Sequence, residues 1–308
     1  MVPLLPGTAT TESVVNALKA IAGHPQEERA SFATGRCLRG TYAASDRATE
    51  ITNSRSFTKP SRVLARLSVD EISCKVTDEG VLRGLSLQLG SNGHRSDILL
   101  QSAPIHFART LDQMLAFLAV RTPGPDGKPD MEEIAAFSAA NPETLHQANY
   151  IAAHPSPASS ADVIYWGVHA FPATNSKGET RFIKLKAVPA GVNLTQLRSN
   201  AQQEKDDLES RILAGDVRFN LMALLDRPGD PTLDVTTRWP NEDSREMVRL
   251  GTVVMTGIEP NEVCDATIFD PANLAEGIGH PLDEIFAARR AAYAISLAKR
   301  RTLSQSPD

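Results

Sequence analysis

Hydrophobic residues near the start of the chain recur with the period of an α-helix. Val14, Leu18 and Ile21 fall on one face of the stretch 11–22, and Gly23 follows the last of them. One of the two threonines at positions 10 and 11 can cap the first turn. The pattern predicts an amphipathic helix that ends at Gly23.

Short runs with partial alternation of apolar and polar residues occupy much of the remaining chain. Turn residues separate these runs, which is the pattern of antiparallel strands. In chain order the runs read RCLRGTYAAS, RVLARLSVD, VLRGLSLQLG, SDILLQS, DVIYWGVHAF, TRFIKLKAVP, DVRFNLMALLD and REMVRLGTVVMTGI.

Helical periodicity returns after the fourth strand and again at the end of the chain. Three predicted helices are interrupted by the turn-rich TPGPDGKPD, a polar helix is predicted at 194–213, and DEIFAARRAAYAISLAKRR forms the last helix at 283–301. There is no internal repeat and no linker. We therefore predict an α+β fold, a single domain of residues 1–308 built on an antiparallel β-barrel with surrounding helices. Residues 1–23 would form an N-terminal helical extension and 302–308 a flexible tail.

Charge and composition narrow the classes of partner. Of the 308 residues, 41% are hydrophobic and 22% are charged, which is typical of a globular protein with a substantial core. The net charge of -5 argues against nucleic acid or an anionic membrane as a partner. There is no basic leader, and no segment reaches the roughly 20 apolar residues of a spanning helix, so we predict a cytoplasmic protein.

The three cysteines are widely spaced. Cys37, Cys74 and Cys264 form no CxxC motif. This spacing predicts neither a disulfide framework nor a zinc site, and we expect free thiols or small buried side chains.

The last helix carries a tyrosine between two arginines. Arg289 lies four residues before Tyr293 and Arg300 seven after it, so the three share one helical face. A phenol with a pKa near 10 becomes an anionic metal ligand at neutral pH only if a cation and the metal favour its ionised form. The arrangement suits a tyrosinate on haem iron, although a surface arginine beside a core tyrosine would have the same spacing.

Six segments in order along the chain resemble the haem-binding core of the catalase superfamily, especially its small members without extra domains. The similarity extends from about Arg29 to Arg300 and implies a β-barrel of the catalase type. The segments are NPETLHQ at 141–147, GVHAF at 167–171, TTRWP at 236–240, LGT at 250–252, FDPANLAEGI at 269–278 and RRAAY at 289–293.

The resemblance implies a haem b cofactor, iron protoporphyrin IX, with Tyr293 as the ligand on its proximal face. Arg289 would donate to the phenolate oxygen, His169 would contact Arg289, and Asp283 would hold His169. Taken alone, His169 is equally compatible with a core histidine and Asp283 with a helix cap.

Haem propionates require cations. By the same resemblance Arg29, Arg66 and Arg300 bind them, because paired guanidinium and carboxylate groups form strong hydrogen bonds.

The opposite, distal face departs from the family pattern. Phe32 stands where the family has its catalytic histidine, and phenylalanine cannot transfer protons. Gln101 replaces an asparagine, Ser68 keeps the serine that supports the missing histidine, and His106-Phe107 stands where two phenylalanines line the channel. His106 is either a displaced acid-base group or a pocket wall without chemistry.

These residues indicate a haem-dependent oxidoreductase that uses hydrogen peroxide or an organic hydroperoxide to oxidise or rearrange a small organic substrate. Gln101 and His106 would orient the bound oxygen atoms and Phe32 would shape the substrate site. Without a distal histidine we expect weak or no catalase activity. The alternatives are a redox-neutral or O2-using biosynthetic haem enzyme, or a haem-binding or sensing protein without catalysis. A homodimer is the expected assembly.

Overall fold

The computed structural model describes residues 7, 9–23, 28–70, 80–91, 93–125, 127–157, 159–190 and 204–303. Parts of the predicted features lie outside these ranges. They are residues 1–6 of the N-terminal extension, Cys74, residues 194–203 of the helix predicted at 194–213, and the tail beyond residue 303.

Nine antiparallel strands form the centre of the molecule. Their order in the sheet is β5-β4-β3-β2-β1-β9-β8-β7-β6, and β5 also pairs with β7. That extra pairing closes eight strands into a barrel and leaves β6 flanking β7, which confirms the predicted α+β barrel with surrounding helices. The strands are β1 (Gly35–Ala44), β2 (Ser61–Asp70), β3 (Leu82–Leu89), β4 (Ser96–Gln101), β5 (Tyr165–Trp166), β6 (Phe171–Thr174), β7 (Thr180–Pro189), β8 (Arg218–Leu225) and β9 (Met247–Glu259).

Alternation along the strands separates an apolar core from a more polar outer face. On β2, Val63, Ala65 and Leu67 belong to the buried core cluster that the barrel strands share. Arg66 and Ser68 have the opposite parity and point away from that core. The outer face of β2 is therefore free to build a polar site.

Helices surround the barrel. They are α1 (Thr11–Ala22), α2 (Ala48–Ile51), α3 (Arg55–Thr58), α4 (Leu111–Ala119), α5 (Met131–Ala140), α6 (His146–Ala153), α7 (Glu204–Leu213), α8 (Asn261–Asp265) and α9 (Glu284–Leu303).

The first helix has the predicted limits. Thr10 caps α1 by accepting from the backbone N–H of Ser13, and Gly23 ends it with φ of 63°. Val14 and Ile21 pack in a cluster with Phe117 of α4, and α1 also contacts α9. The predicted amphipathic face of α1 thus packs within the helical layer, against α4 and α9.

The strand predicted at 162–171 is interrupted. Trp166 pairs with Lys186, and Phe171 pairs with Ile183. Between these two pairs the segment advances by five residues, whereas β7 advances by only three. The two additional residues form a bulge. His169 lies in this bulge between β5 and β6, outside the ladder of strand hydrogen bonds.

The prediction of unpaired cysteines is wrong for two of the three. Cys37 of β1 and Cys264 of α8 form a disulfide, with a Cα–Cα distance of 5.7 Å and a sequence separation of 227. Both side chains are buried. Only the tertiary fold brings them together, so spacing along the sequence could not indicate the bond.

Within the described ranges, the helices are all too short or too polar to traverse a lipid bilayer.

Candidate active site

A large cavity lies between the outer face of β2 to β4 and the helices α1 and α9. Its empty volume is about 1390 Å³, including its open mouth, which is ample for a cofactor together with a small ligand. Of the predicted site residues, those that line it are Phe32, Ser68, Gln101, His106, Arg29, Arg66, Arg289, Tyr293 and Arg300.

A chain of hydrogen bonds supports the tyrosine in this cavity. Arg289 donates from Nη2 to the hydroxyl oxygen of Tyr293 at 3.0 Å and from Nη1 to Nε2 of His169 at 2.9 Å. Nδ1 of His169 lies 2.8 Å from Oδ2 of Asp283. The other carboxylate oxygen of Asp283 accepts from the backbone N–H of Phe286 at 2.8 Å, so Asp283 also caps α9.

The chemistry of the two neighbours fixes the form of His169. An arginine can only donate, so Nε2 must accept, and Nδ1 then carries the proton that His169 donates to Asp283. Burial lowers the pKa of His169 and keeps the imidazole neutral. Burial alone would raise the pKa of Asp283, but hydrogen bonds from His169 and from the backbone N–H of Phe286, together with the charge of Arg289, hold that pKa below its usual range. A fixed carboxylate thus orients a neutral imidazole toward Arg289.

Three further arginines line the same cavity. Arg66 donates to the backbone oxygens of Phe32 and Ala33 at 2.8 and 2.5 Å. Burial, followed by the positive charge of Arg29, lowers the pKa of Arg66 to about 10. A Cβ at Gly35 would lie 2.6 Å from Cζ of Arg66, so glycine is needed for this guanidinium to reach its position.

Helix α8 holds two of these arginines. Arg29 donates to the backbone oxygen of Cys264 at 2.7 Å, and Arg300 to that of Asp265 at 2.9 Å. Asp265 also pairs with Nε of Arg29 at 3.6 Å, with its own side chain 53% exposed. Because the three guanidinium groups line one cavity, they are suited to binding an anionic ligand.

The disulfide contributes to this cluster because it fixes α8 to the barrel. Cys264 supplies both the bond to Cys37 and the carbonyl that Arg29 contacts. Sequence reasoning missed Cys264 and Asp265. Their partners lie 235 and 35 residues away along the chain, and no local motif signals either contact.

Phe32 lines the same cavity and has an unusual backbone conformation. Its φ is 52°, a region that bulky residues rarely adopt. A Cβ at Gly84 would lie 3.0 Å from Cδ1 of Phe32 and 2.6 Å from Oγ of Ser68. The phenyl ring and the serine hydroxyl therefore both lie against Gly84, which must remain glycine for this packing.

Hydrogen bonds fix the orientation of the Gln101 side-chain amide. Nε2 donates to the backbone oxygens of Ile105 at 2.7 Å and Ala103 at 3.3 Å. Because both partners are acceptors, the NH2 group must face them. Within the described part of the chain nothing donates to Oε1, so this oxygen is the atom that Gln101 offers to a ligand.

The neighbouring residues His106 and Phe107 differ in the cavities that they line. His106 lines the main cavity and a second, adjoining one, whereas Phe107 lines the second cavity alone. Their rings stack at 4.4 Å, and Nδ1 of His106 lies 2.8 Å from the backbone oxygen of Ala108. Burial lowers the pKa of His106 to about 4, so the imidazole is neutral at neutral pH.

This pKa predicts an acid-sensitive contribution to stability. The unfolded histidine titrates near 6.5 and the folded one near 4. Between these values the unfolded chain binds more protons, so stability falls as the pH decreases. Relative to the parent, His106→Phe should retain roughly 2–3 kcal/mol more of its unfolding free energy when the pH is lowered from 7 to 4.

Urea unfolding at the two pH values measures this difference. His94→Phe is the matched control, because His94 is exposed, and it should follow the parent. Equal losses for the parent and His106→Phe would contradict a buried neutral imidazole.

Comparison with known protein sequences finds a matching family. The sequence model of the family described as Catalase matches residues 14–304. A catalase-related peroxidase of Synechococcus elongatus is 29% identical over 304 residues, covering 94% of this chain and 88% of that protein. A catalase-related peroxidase of Mycolicibacterium paratuberculosis is 27% identical over 312 residues, covering 96% of both.

Solved catalase structures share the fold. A fungal catalase superposes with a TM-score of 0.74 at 20% identity, covering 98% of this chain and 65% of that chain. A bacterial catalase superposes with a TM-score of 0.73 at 18% identity, covering 97% and 62%. This chain thus spans slightly less than two thirds of either catalase. With a family match over nearly its whole length and a barrel of the catalase type, the protein belongs to the catalase family.

Proposed function

We propose that this protein is a haem-dependent oxidoreductase of the peroxidase type with weak catalase activity. The observation that carries the proposal is the hydrogen-bonded chain Tyr293, Arg289, His169 and Asp283 at the wall of a large cavity. The names of its relatives support the peroxidase class. Residues 1–308 would act as one haem domain.

The donor set fits haem b. Tyr293 would bind the iron, and the buried cations Arg29, Arg66 and Arg300 would receive the two propionates. The presence of these three arginines in one cavity supports this assignment. When bound, the haem would supply the redox chemistry of peroxide cleavage.

The protein's own residues would control that chemistry. Arg289 would orient the oxygen of Tyr293 by donating to it, and His169 with Asp283 would keep the guanidinium in place. On the distal side Oε1 of Gln101 would accept the hydrogen bond of a hydroperoxide O–H, and Phe32 would exclude water. Ser68 and His106 line the same space.

The overall reaction requires an electron donor. One hydroperoxide ROOH and two donor molecules AH would give ROH, water and two oxidised donors A, with a net gain of one hydrogen by each oxygen of the cleaved O–O bond. A proton carrier at position 32 is missing, which supports a low rate of hydrogen peroxide disproportionation, because acid-base catalysis typically contributes about 10² to 10⁴ in rate.

The phenylalanine at position 32 also favours one alternative, a haem-binding or sensing protein without turnover. Its supporting observation is that Phe32 packs where a proton carrier would be needed. A redox-neutral or O2-using haem enzyme would also tolerate Phe32.

The experiment that tests the proposal compares three readings on the haem-loaded protein. We expect dye oxidation with hydrogen peroxide or cumene hydroperoxide, little oxygen release, and no dye oxidation without peroxide. Rapid oxygen release would contradict weak catalase activity. The absence of any dye oxidation or peroxide consumption would contradict the peroxidase and favour the sensor.

The proposal extends to location and assembly. The cytoplasmic location follows from the sequence, whereas a disulfide such as that between Cys37 and Cys264 is typical of oxidising compartments. Peroxide and a small organic substrate are the proposed small-molecule partners, and a homodimer the proposed assembly.

A further inference from the structure

A second cavity adjoins the candidate haem site. Its empty volume is about 750 Å³, including its mouth. Helices α1, α4 and α6 and the ends of β2 and β3 contribute its walls. Phe32, Gln101 and His106 line both cavities and therefore form the partition between them.

The lining of the second cavity is mainly apolar. It includes Leu82, Phe107, Phe117 and Ile151. Polar groups there form hydrogen bonds within the protein. Nε2 of Gln147 donates to the backbone oxygen of Ile105 at 2.9 Å, and the hydroxyl of Thr144 donates to the backbone oxygen of Asn141 at 2.7 Å. An apolar ligand would displace little ordered polar structure from such a cavity.

The charges of the two cavities contrast. The first is lined by four arginines, whereas the described lining of the second contains neither lysine nor arginine. A ligand that carries a carboxylate would meet apolar side chains and no cation in this described lining, which disfavours its binding.

We propose that the second cavity binds the uncharged apolar part of an organic hydroperoxide, whose O–O group passes the partition toward Gln101. The proposal rests on the proposed function for the nature of the reacting group, but the binding preference follows from the lining alone. It assigns a substrate class, neutral alkyl or aryl hydroperoxides, and excludes those with a carboxylate on the apolar part.

A pair of unreactive ligands tests the preference. Cumyl alcohol is the neutral analogue of cumene hydroperoxide, and its 4-carboxylate adds only the charge. Calorimetry on the haem-loaded protein should give a dissociation constant at least roughly tenfold lower for cumyl alcohol, which corresponds to about 1.4 kcal/mol.

Two leucine variants on one helix test the location. Ala148 of α6 lines the second cavity only, and Ala152 of the same helix is exposed. Ala148→Leu should weaken cumyl alcohol binding at least roughly tenfold. Ala152→Leu has the same change in helix propensity and should bind as the parent does.

The outcomes separate this inference from the proposed function. Equal binding of the alcohol and its carboxylate, or equal binding by the two leucine variants, would overturn the assignment of the cavity, even in a protein with a normal haem spectrum and dye oxidation. The loss of haem or of dye oxidation would instead concern the proposed function, because the calorimetric preference needs no turnover.

Discussion

Replacing Phe32 with histidine should raise the rate of oxygen release from hydrogen peroxide at least roughly tenfold, toward the 10² to 10⁴ range of acid-base catalysis. The ring of Phe32 already lies beside the hydroxyl of Ser68 against Gly84. An imidazole there could donate to Ser68 and present its other nitrogen to a peroxide. The backbone also suits the change, because histidine adopts a positive φ more readily than phenylalanine.

A second variant separates proton transfer from polarity and strain. Phe32→Asn relieves the positive φ and adds a polar group, but an amide cannot carry the proton. Oxygen release should stay near the parent rate in Phe32→Asn and rise only in Phe32→His. A Phe32→His protein with bound haem and the parent rate would show that position 32 is not where the missing acid-base group belongs.

Tyr293→Phe should have the largest effect on cofactor binding. It removes the only atom through which this side chain can bind iron and leaves Arg289 without the acceptor that it contacts at 3.0 Å. We expect haem affinity to fall at least roughly 100-fold, or about 2.7 kcal/mol. Haem transfer to an acceptor protein measures the loss, and circular dichroism checks that the fold remains.

The matched control is another tyrosine with the same change. Tyr150 lies outside both cavities and packs against His154 at a ring distance of 4.2 Å. Tyr150→Phe should retain haem as the parent does. If Tyr293→Phe retained it equally well, the tyrosine could not be the ligand.

The elements with a strong period were predictable from sequence. The capped helix that ends at Gly23 and the strands that form the barrel follow from local spacing of apolar residues. The last helix places Arg289 and Tyr293 in contact because four residues make about one turn. Each of these features depends on neighbours in sequence.

Features that depend on distant contacts were not predictable from local pattern. The bulge that carries His169 results from the pairing of two short strands with β7, and the apolar sequence there reads as one strand. The disulfide of Cys37 and Cys264 requires that α8 pack on the barrel. The exposed atom of Gln101 depends on two carbonyls in the following loop, which spacing does not reveal.

The resemblance to the family predicts that Arg289, His169 and Asp283 lie near Tyr293, and their hydrogen bonds connect them in that order. It could not indicate the charge of the second cavity, because that property arises from α4, α6 and the ends of two strands together. The substitution at position 32 changes the chemistry on one face only. The arrangement of Arg289, His169 and Asp283 on the other face is compatible with the family pattern.

The central claim is a haem iron bound by the phenolate of Tyr293. The absorption spectrum of the purified protein, compared with that of Tyr293→Phe, tests it most directly. We predict one haem per chain and a phenolate-ligated ferric spectrum that Tyr293→Phe abolishes. A colourless protein that takes up no haem, or a haem spectrum identical in the two proteins, would contradict the claim.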